Sequence, residues 1–327
     1  MIENQESITA KLCSFARAFH SNFGANKIFD DYLAFDLMGK KQYEEMGQLI
    51  ENGFDVTKIS SKKWFCAKNI RAALYEYILP IPLSRINFAQ KELAGFAKKY
   101  NSANSAGKQI QYVICGAGMD SFAFRNTNEN IHVFEIDHPD TQEYKKKRIQ
   151  ELEWMIPRNL TFVPVDFTKD SLKEKLLQNG FNPNLPTFTA ILGVSYYLTL
   201  KDFEKTLKIV SELTNDESRI IFDFPDQTTL APKAAVRVKE LARITARLGE
   251  PMVKGFSKHE IKGALRRHSL KIETYERPED IQKNYFSERE DNLKAFENVH
   301  FVAAAKKKRF KTKGLLLLQR TIAAIKI

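Results

Sequence analysis

A short apolar run, Tyr112 to Cys115, stops at Gly116-Ala117-Gly118, and the next apolar run ends in a carboxylate, Asp137, 21 residues after Gly116. A strand of four or so residues, a glycine turn and a helix-length connection to a second strand leave few folds open. Similar runs recur along the chain: Ile131 to Ile136, Thr161 to Val165, Phe188 to Leu192 and Arg219 to Phe224, with Leu270 to Thr274 and Val299 to Ala304 near the end. Strands separated by helical segments describe a mostly parallel sheet with crossover helices, an α/β fold of about seven strands.

The connections carry helix start signals. Ser171 precedes Glu174 by three residues, ahead of Leu176 and Leu177, and Thr199 stands in the same relation to Asp202; both spacings are those of a capping box. Gly180 stands where a helix stop belongs. From Glu3 to about Tyr100 the apolar residues instead keep helical spacing, as in Leu12, Phe15, Ala16 and Phe19. The organisation expected is therefore a helical N-terminal extension over residues 1–105, with the small polar stretch 101–108 as a linker. A sheet domain follows over 106–305, in which 228–264 is mostly helical and suits a substrate cover. A basic tail, 306–327, ends the chain.

The 327 residues carry 51 Lys and Arg against 40 Asp and Glu, a formal charge of +11. Such an excess suggests nucleic acid or an anionic membrane, but eight of the basic residues lie from Lys306 onward, where there is no acid. The preceding 305 residues hold 43 basic and 40 acidic side chains. The charge therefore belongs to the tail, for which a solvated end is the simpler reading and a membrane or nucleic-acid contact the alternative. Cys13, Cys66 and Cys115 form no Cys-x-x-Cys pair, which points to buried reduced thiols and no metal site. The first residues contain no apolar secretory core and the chain no run long enough to span a bilayer, so a cytoplasmic protein is expected. Walker A, His-Glu-x-x-His and Gly-x-Ser-x-Gly patterns are absent.

The chemistry concentrates at the strand ends. Gly116 and Gly118 permit a tight turn and close backbone approach to a ligand at a helix N-terminus. Asp137, at the end of the second strand, is placed to accept from ribose hydroxyls, with Glu135 on the same strand face as its competitor. Asp166 and Phe167 end the third strand, where a carboxylate can accept from an adenine amino group and an aromatic can pack on the ring. These elements suit a nucleoside and leave both S-adenosylmethionine and NAD open. Ser121, where dinucleotide sites usually carry a third glycine, favours methyl transfer.

The string Gln111-Tyr-Val-Ile-Cys-Gly-Ala-Gly-Met-Asp-Ser-Phe-Ala-Phe-Arg125 resembles the leucine carboxyl methyltransferase family of class I S-adenosylmethionine-dependent methyltransferases. It looks closest to the bacterial branch, which includes polyketide-type O-methyltransferases. The resemblance continues through Ile28-Phe-Asp-Asp31, Ser84-Arg85, Phe134-Glu-Ile-Asp-His-Pro139, Val163-Pro-Val-Asp-Phe167 and Gly193-Val-Ser-Tyr-Tyr-Leu-Thr199. It implies a Rossmann-like, seven-stranded sheet with an N-terminal helical extension. S-adenosylmethionine would bind with Arg85 on its carboxylate, Gly116 in the loop, Asp137 on the ribose, and Asp166 with Phe167 beside the adenine. The implied reaction is O-methylation of a carboxylate or hydroxyl on a small molecule, with no metal and no catalytic side chain named. One position departs: the family commonly has Glu at the end of the fourth strand, and this chain has Leu192. That departure motivates an alternative, a weakened or regulatory S-adenosylmethionine-binding protein; an NAD-dependent oxidoreductase is a further one. Tyr196 and Tyr197 are expected to pack beneath the site and His138 to sit in a solvated loop.

Overall fold

In the computed structural model, which describes residues 7–58, 66–100, 108–167 and 169–306, seven strands form a sheet in the order β3-β2-β1-β4-β5-β7-β6. They are β1 (Ile110–Cys115), β2 (Ile131–Asp137), β3 (Leu160–Pro164), β4 (Thr187–Ile191), β5 (Arg219–Pro225), β6 (Leu270–Glu276) and β7 (Val299–Lys306). Every run expected to be a strand is one, to within one or two residues. β1 to β5 run parallel to one another, and β7 runs antiparallel to both β5 and β6. The chain builds outward from β1 to β3 and then returns to place β4 on the other side of β1. The reversal leaves a crevice at the carboxyl ends of β1 and β4, where open α/β sheets bind ligands.

The helices preceding the sheet are α1 (Ile8–Phe23), α2 (Ala34–Met38), α3 (Lys40–Glu51), α4 (Ala67–Ala73) and α5 (Pro80–Lys98). The crossovers contain α6 (Phe122–Arg125), α7 (Pro139–Glu151), α8 (Leu172–Gln178) and α9 (Leu200–Leu213); α10 (Val236–Arg247) and α11 (Lys258–Arg267) follow β5, and α12 (Pro278–Ile281) follows β6. Ser171 and Thr199 accept from the backbone N–H groups of Glu174 and Asp202 as their spacing predicts, and a fully reciprocal capping box forms at Ser257 and Glu260.

β1 is buried along its whole length, as a strand covered on both faces must be. Its side chains alternate: Tyr112 and Ile114 join the core shared with the N-terminal helices, while Val113 and Cys115 join the core beneath α8 and α9. α5 lies across the first of these faces, with Phe96 against Phe188 of β4 at 5.5 Å between ring centroids and Phe88 against Phe301 of β7 at 5.3 Å. A π-helical turn, Leu74–Ile78, leads into α5, and the Leu79 N–H reaches back to the Leu74 carbonyl at 2.9 Å. Pro80 and Pro82 then occupy first-turn positions, where a missing N–H costs nothing.

Two expectations need correction. Cys66 is exposed and Cys13 half-buried, so only Cys115 is a buried thiol: Cys66 stands just ahead of α4, outside both cores, and the core-facing rule for cysteine does not reach a helix entry. Lys306, the first residue assigned to the tail, is the last of β7, with its Nζ donating to the carbonyls of Ser211 and Thr214. The remainder of the tail, 307–327, and residues 101–107 of the expected linker lie outside the described residues. No helix among the described residues is long and apolar enough to cross a membrane.

His20, buried in α1, accepts the Ile28 N–H at Nε2, 2.9 Å away, and burial helped by Arg289 pushes its pKa down from 6.5 to about 4. In the unfolded chain it takes up a proton near pH 6.5, so the unfolded state binds more protons between pH 6.5 and 4 and stability falls on acidification. The expected loss is about 3 kcal/mol across that window. Urea unfolding of the wild type and His20→Gln at pH 7 and 4.5 checks it: the variant should lack this part of the acid loss, and equal pH slopes would refute it.

Candidate cofactor site

The turn after β1 depends on its two glycines. Gly116 and Gly118 have φ of +73° and +51°, in the left-handed region that side chains with a Cβ avoid. The N–H groups of Gly116 and Ala117 both donate to the Ile136 carbonyl, at 2.9 and 3.0 Å, which fastens the turn to the end of β2. Asp137 completes the junction: Oδ2 accepts from Gly118 N–H at 2.5 Å and Oδ1 from His138 N–H at 2.7 Å. Each carboxylate oxygen retains a further acceptor site. Burial raises the Asp137 pKa, against the opposing pull of those two N–H groups.

Glu135, the competing carboxylate, is only 1% exposed and faces Lys145 of α7, itself 1% exposed. Lys145 also donates to the Asp120 carbonyl in the glycine turn. Glu135 is thus sealed beneath the turn, and Asp137 is the acid that remains partly open at the strand end. Asp166 follows β3 one strand further out, where Val165 N–H donates to the Asp137 carbonyl at 2.9 Å and Lys169 lies 3.2 Å from Asp166 Oδ2. Phe167, directly after Asp166 in the chain, is 52% exposed, an apolar ring left open just beyond the end of β3.

A second cluster gathers around the turn after β4. Gly193, with φ of +72°, lies under Arg85: a Cβ at this position would stand 2.6 Å from the guanidinium. Arg85 projects from the first turns of α5, and its Nη1 is 3.4 Å from Asp223 Oδ2 while Nη2 is 3.4 Å from Cys13 Sγ of α1. Burial disfavours the Arg85 charge, but Cys13 and Asp223 hold its pKa above the usual value. Asp223, on β5, is fully buried and accepts from Gly193 N–H at 2.7 Å and from Tyr196 OH at 2.8 Å. The two clusters are neighbours, since a Cβ on Gly116 would touch Val194 Cγ2 at 3.4 Å.

The N-terminal segment closes over this second cluster. Glu250, between α10 and α11, accepts from Ser7 Oγ, Ile8 N–H and Thr9 Oγ1, and Tyr197 OH donates to Thr9 Oγ1 at 3.1 Å. Tyr196 is buried as expected, and its hydroxyl is committed to Asp223. His138 caps α7, accepting from Asp140 N–H at 3.4 Å. Among the described residues no group of three or more His, Cys, Asp or Glu could hold a metal ion. Of the residues that the sequence reading grouped around one cofactor, the structure brings Gly118 into direct contact with Asp137, ties Gly116 to the adjoining Ile136 carbonyl and places Arg85 in the neighbouring cluster. Sequence reasoning missed Asp223, for which the signal was an acid inside an otherwise apolar strand.

Residues 10–211 match the leucine carboxyl methyltransferase family. The chain belongs to this family. It is 36% identical over 313 residues, 94% of this chain and all of its relative, to YktD of Bacillus subtilis (strain 168), a protein that carries the name of an S-adenosyl-L-methionine-dependent methyltransferase. A protein of Mycolicibacterium vanbaalenii bearing the same description is 31% identical over 132 residues, 40% of this chain and 44% of that one. Among solved structures, a DUF574 family protein of Streptomyces avermitilis covers 80% of this chain and 96% of its own at 13% identity, with a TM-score of 0.49. The fold assignment for this leucine carboxyl methyltransferase family member rests on its own strand order.

The residues present fit the group such a family uses. S-adenosylmethionine presents a carboxylate, an ammonium, a ribose diol and an adenine; the site offers a guanidinium, a buried carboxylate, two strand-end carboxylates and an open aromatic ring. Gly193→Ala tests the crowding at Arg85. The added Cβ must displace the guanidinium and adopt a left-handed backbone, at a cost of about 1–2 kcal/mol in stability. Denaturant unfolding should show that loss, and calorimetry should show weaker S-adenosylhomocysteine binding than wild type; unchanged values in both would refute the account.

Proposed function

We infer that this protein transfers the methyl group of S-adenosylmethionine to an oxygen, carboxylate or hydroxyl, of a small molecule in the cytoplasm. The observation that carries the reading is the Gly116-Gly118 turn held by Asp137, in a member of the leucine carboxyl methyltransferase family. Arg85 takes the cofactor carboxylate, Asp137 the ribose, and Asp166 with Phe167 the adenine. The sulfonium supplies an activated methyl, so the chain's own residues have mainly to align donor and acceptor and to exclude water. The contacts of Ser7, Ile8 and Thr9 with Glu250 suit that exclusion. A carboxylate acceptor is ionised at neutral pH and needs no base, which agrees with the absence of an obvious one among the motifs. Family membership favours S-adenosylmethionine over NAD, and the latter gives Asp166 and Phe167 no role.

Incubation with methyl-labelled S-adenosylmethionine and a panel of carboxylic acids and alcohols tests the reading. Label should appear in an alkali-labile ester for an acid or in a stable ether for an alcohol. Transfer to nitrogen or carbon would overturn the oxygen assignment, and failure both to transfer label and to bind S-adenosylhomocysteine in a calorimeter would overturn the whole reading.

A further inference from the structure

Leu192 removes the carboxylate that the family commonly carries at the end of β4, and the fold places another one beside it. In the β4-β5 pairing Ile191 stands opposite Phe222, so the next positions along these parallel strands are Leu192 and Asp223. The turn after β4 is tied to Asp223 by three bonds: Gly193 N–H and Tyr196 OH donate to its carboxylate, and Ser195 Oγ donates to its backbone carbonyl at 2.7 Å. An ionised carboxylate in an otherwise apolar strand is costly to bury unless it is paired. Its charged partner is Arg85, at the long distance of 3.4 Å, and the guanidinium rests on the Cys13 sulfur on its other side.

We propose that Asp223 supplies the carboxylate missing at Leu192, and that Arg85 and Asp223 together receive the α-amino-acid end of S-adenosylmethionine, its carboxylate on Arg85 and its ammonium on Asp223. The inference rests on the methyltransferase reading above. Its physical basis is charge bookkeeping within the cluster. A zwitterion inserted between a partly buried guanidinium and a buried carboxylate replaces one loose ion pair by two, and no charge is left unpaired. Three of the roughly four acceptor positions of Asp223 are used by Gly193, Tyr196 and Arg85; moving Arg85 toward the ligand carboxylate frees a second one for the ammonium. Leu192 is compatible with binding because its strand neighbour carries the charge, and the position gives no reason to read the protein as inactive.

Calorimetry with two ligands separates this role from a structural one. S-adenosylhomocysteine has the amino-acid end, and 5′-methylthioadenosine has the same nucleoside and thioether without it. Asp223→Asn should weaken S-adenosylhomocysteine by about tenfold to a hundredfold and leave 5′-methylthioadenosine unchanged. Adding Leu192→Glu to that variant should restore most of the lost affinity. Equal weakening of both ligands, or no rescue, would overturn the proposal. The wild type provides a check that needs no variant: the desamino analogue of S-adenosylhomocysteine should bind at least tenfold more weakly than the parent, and equal affinity would overturn the proposal. Unchanged S-adenosylhomocysteine binding by Asp223→Asn would sink the Asp223 role alone, whereas a wild type that binds neither ligand would sink the methyltransferase reading with it.

Discussion

Replacing Lys145 by Met should destabilise the protein by about 1–1.5 kcal/mol more at pH 8 than at pH 5.5, because it strands a buried carboxylate that must then stay protonated. Lys145 opens a run of four basic residues in α7 and is the one that turns inward, where Nζ donates to Glu135 Oε2 and to the Asp120 carbonyl. Without it Glu135 faces the protein interior alone. Burial already raises the Glu135 pKa to about 7, with Lys145 pulling the other way; removing the lysine raises it further. A carboxyl whose folded pKa exceeds its unfolded value of about 4.5 contributes fully below pH 4.5 and loses that contribution as pH rises through the folded pKa. The gap between wild type and Lys145→Met should therefore be small near pH 5.5 and widest at pH 8. Urea titrations at both values decide it, and a gap below 1 kcal/mol at pH 8, or one that narrows with rising pH, would disprove the account. Because Lys145 also holds Asp120, the glycine turn should loosen with it.

The same pair shows where sequence reading stops. The strands were legible because sheet burial leaves a local trace: β1 is buried on both faces and so reads as a continuous apolar run, and the glycines after it announce the turn. The junction of Asp137 with the glycine turn was legible because it depends on a position along its own strand. Glu135 and Asp223 were not, since an acid within an apolar run declares only that some partner exists. The partner of Glu135 is one of four consecutive basic residues, and helix phase alone does not single out Lys145. The partner of Asp223 is Arg85, 138 residues earlier, brought close by α5 crossing the sheet face. Leu192 looked like a lost contact because the comparison ran along the chain, whereas the carboxylate is recovered across the sheet.

The N-terminal extension should prove inseparable from the site, and Asp31→Ala is the sharpest way to show it. Asp31 lies between α1 and α2, is fully buried, and belongs to a motif whose meaning the sequence left open. Its carboxylate sits 3.2 Å from Arg17 Nη1 of α1 and 3.5 Å from Arg125 Nε of α6, and it accepts from Ser121 Oγ. Arg17 in turn donates to the Met119 carbonyl at 3.0 Å, and Arg125 to Ser121 Oγ at 2.9 Å. One acid therefore neutralises two nearly buried guanidinium groups and fastens α1 to the residues directly after Gly118. Truncating it leaves both cations without a counter-charge, an expected loss of about 3–5 kcal/mol. It also releases Met119 and Ser121, so S-adenosylhomocysteine affinity should fall even under conditions where the variant is fully folded. Ser121→Ala, which removes one hydrogen bond and no charge, should cost about 1 kcal/mol by comparison. Arg17→Met combined with Asp31→Ala should be less destabilised than the sum of the single changes, since the double variant removes one of the orphaned charges along with its partner. Strict additivity in that cycle, or an Asp31→Ala variant as stable as wild type, would mean that the extension is tied to the glycine turn by packing and not by this charge network.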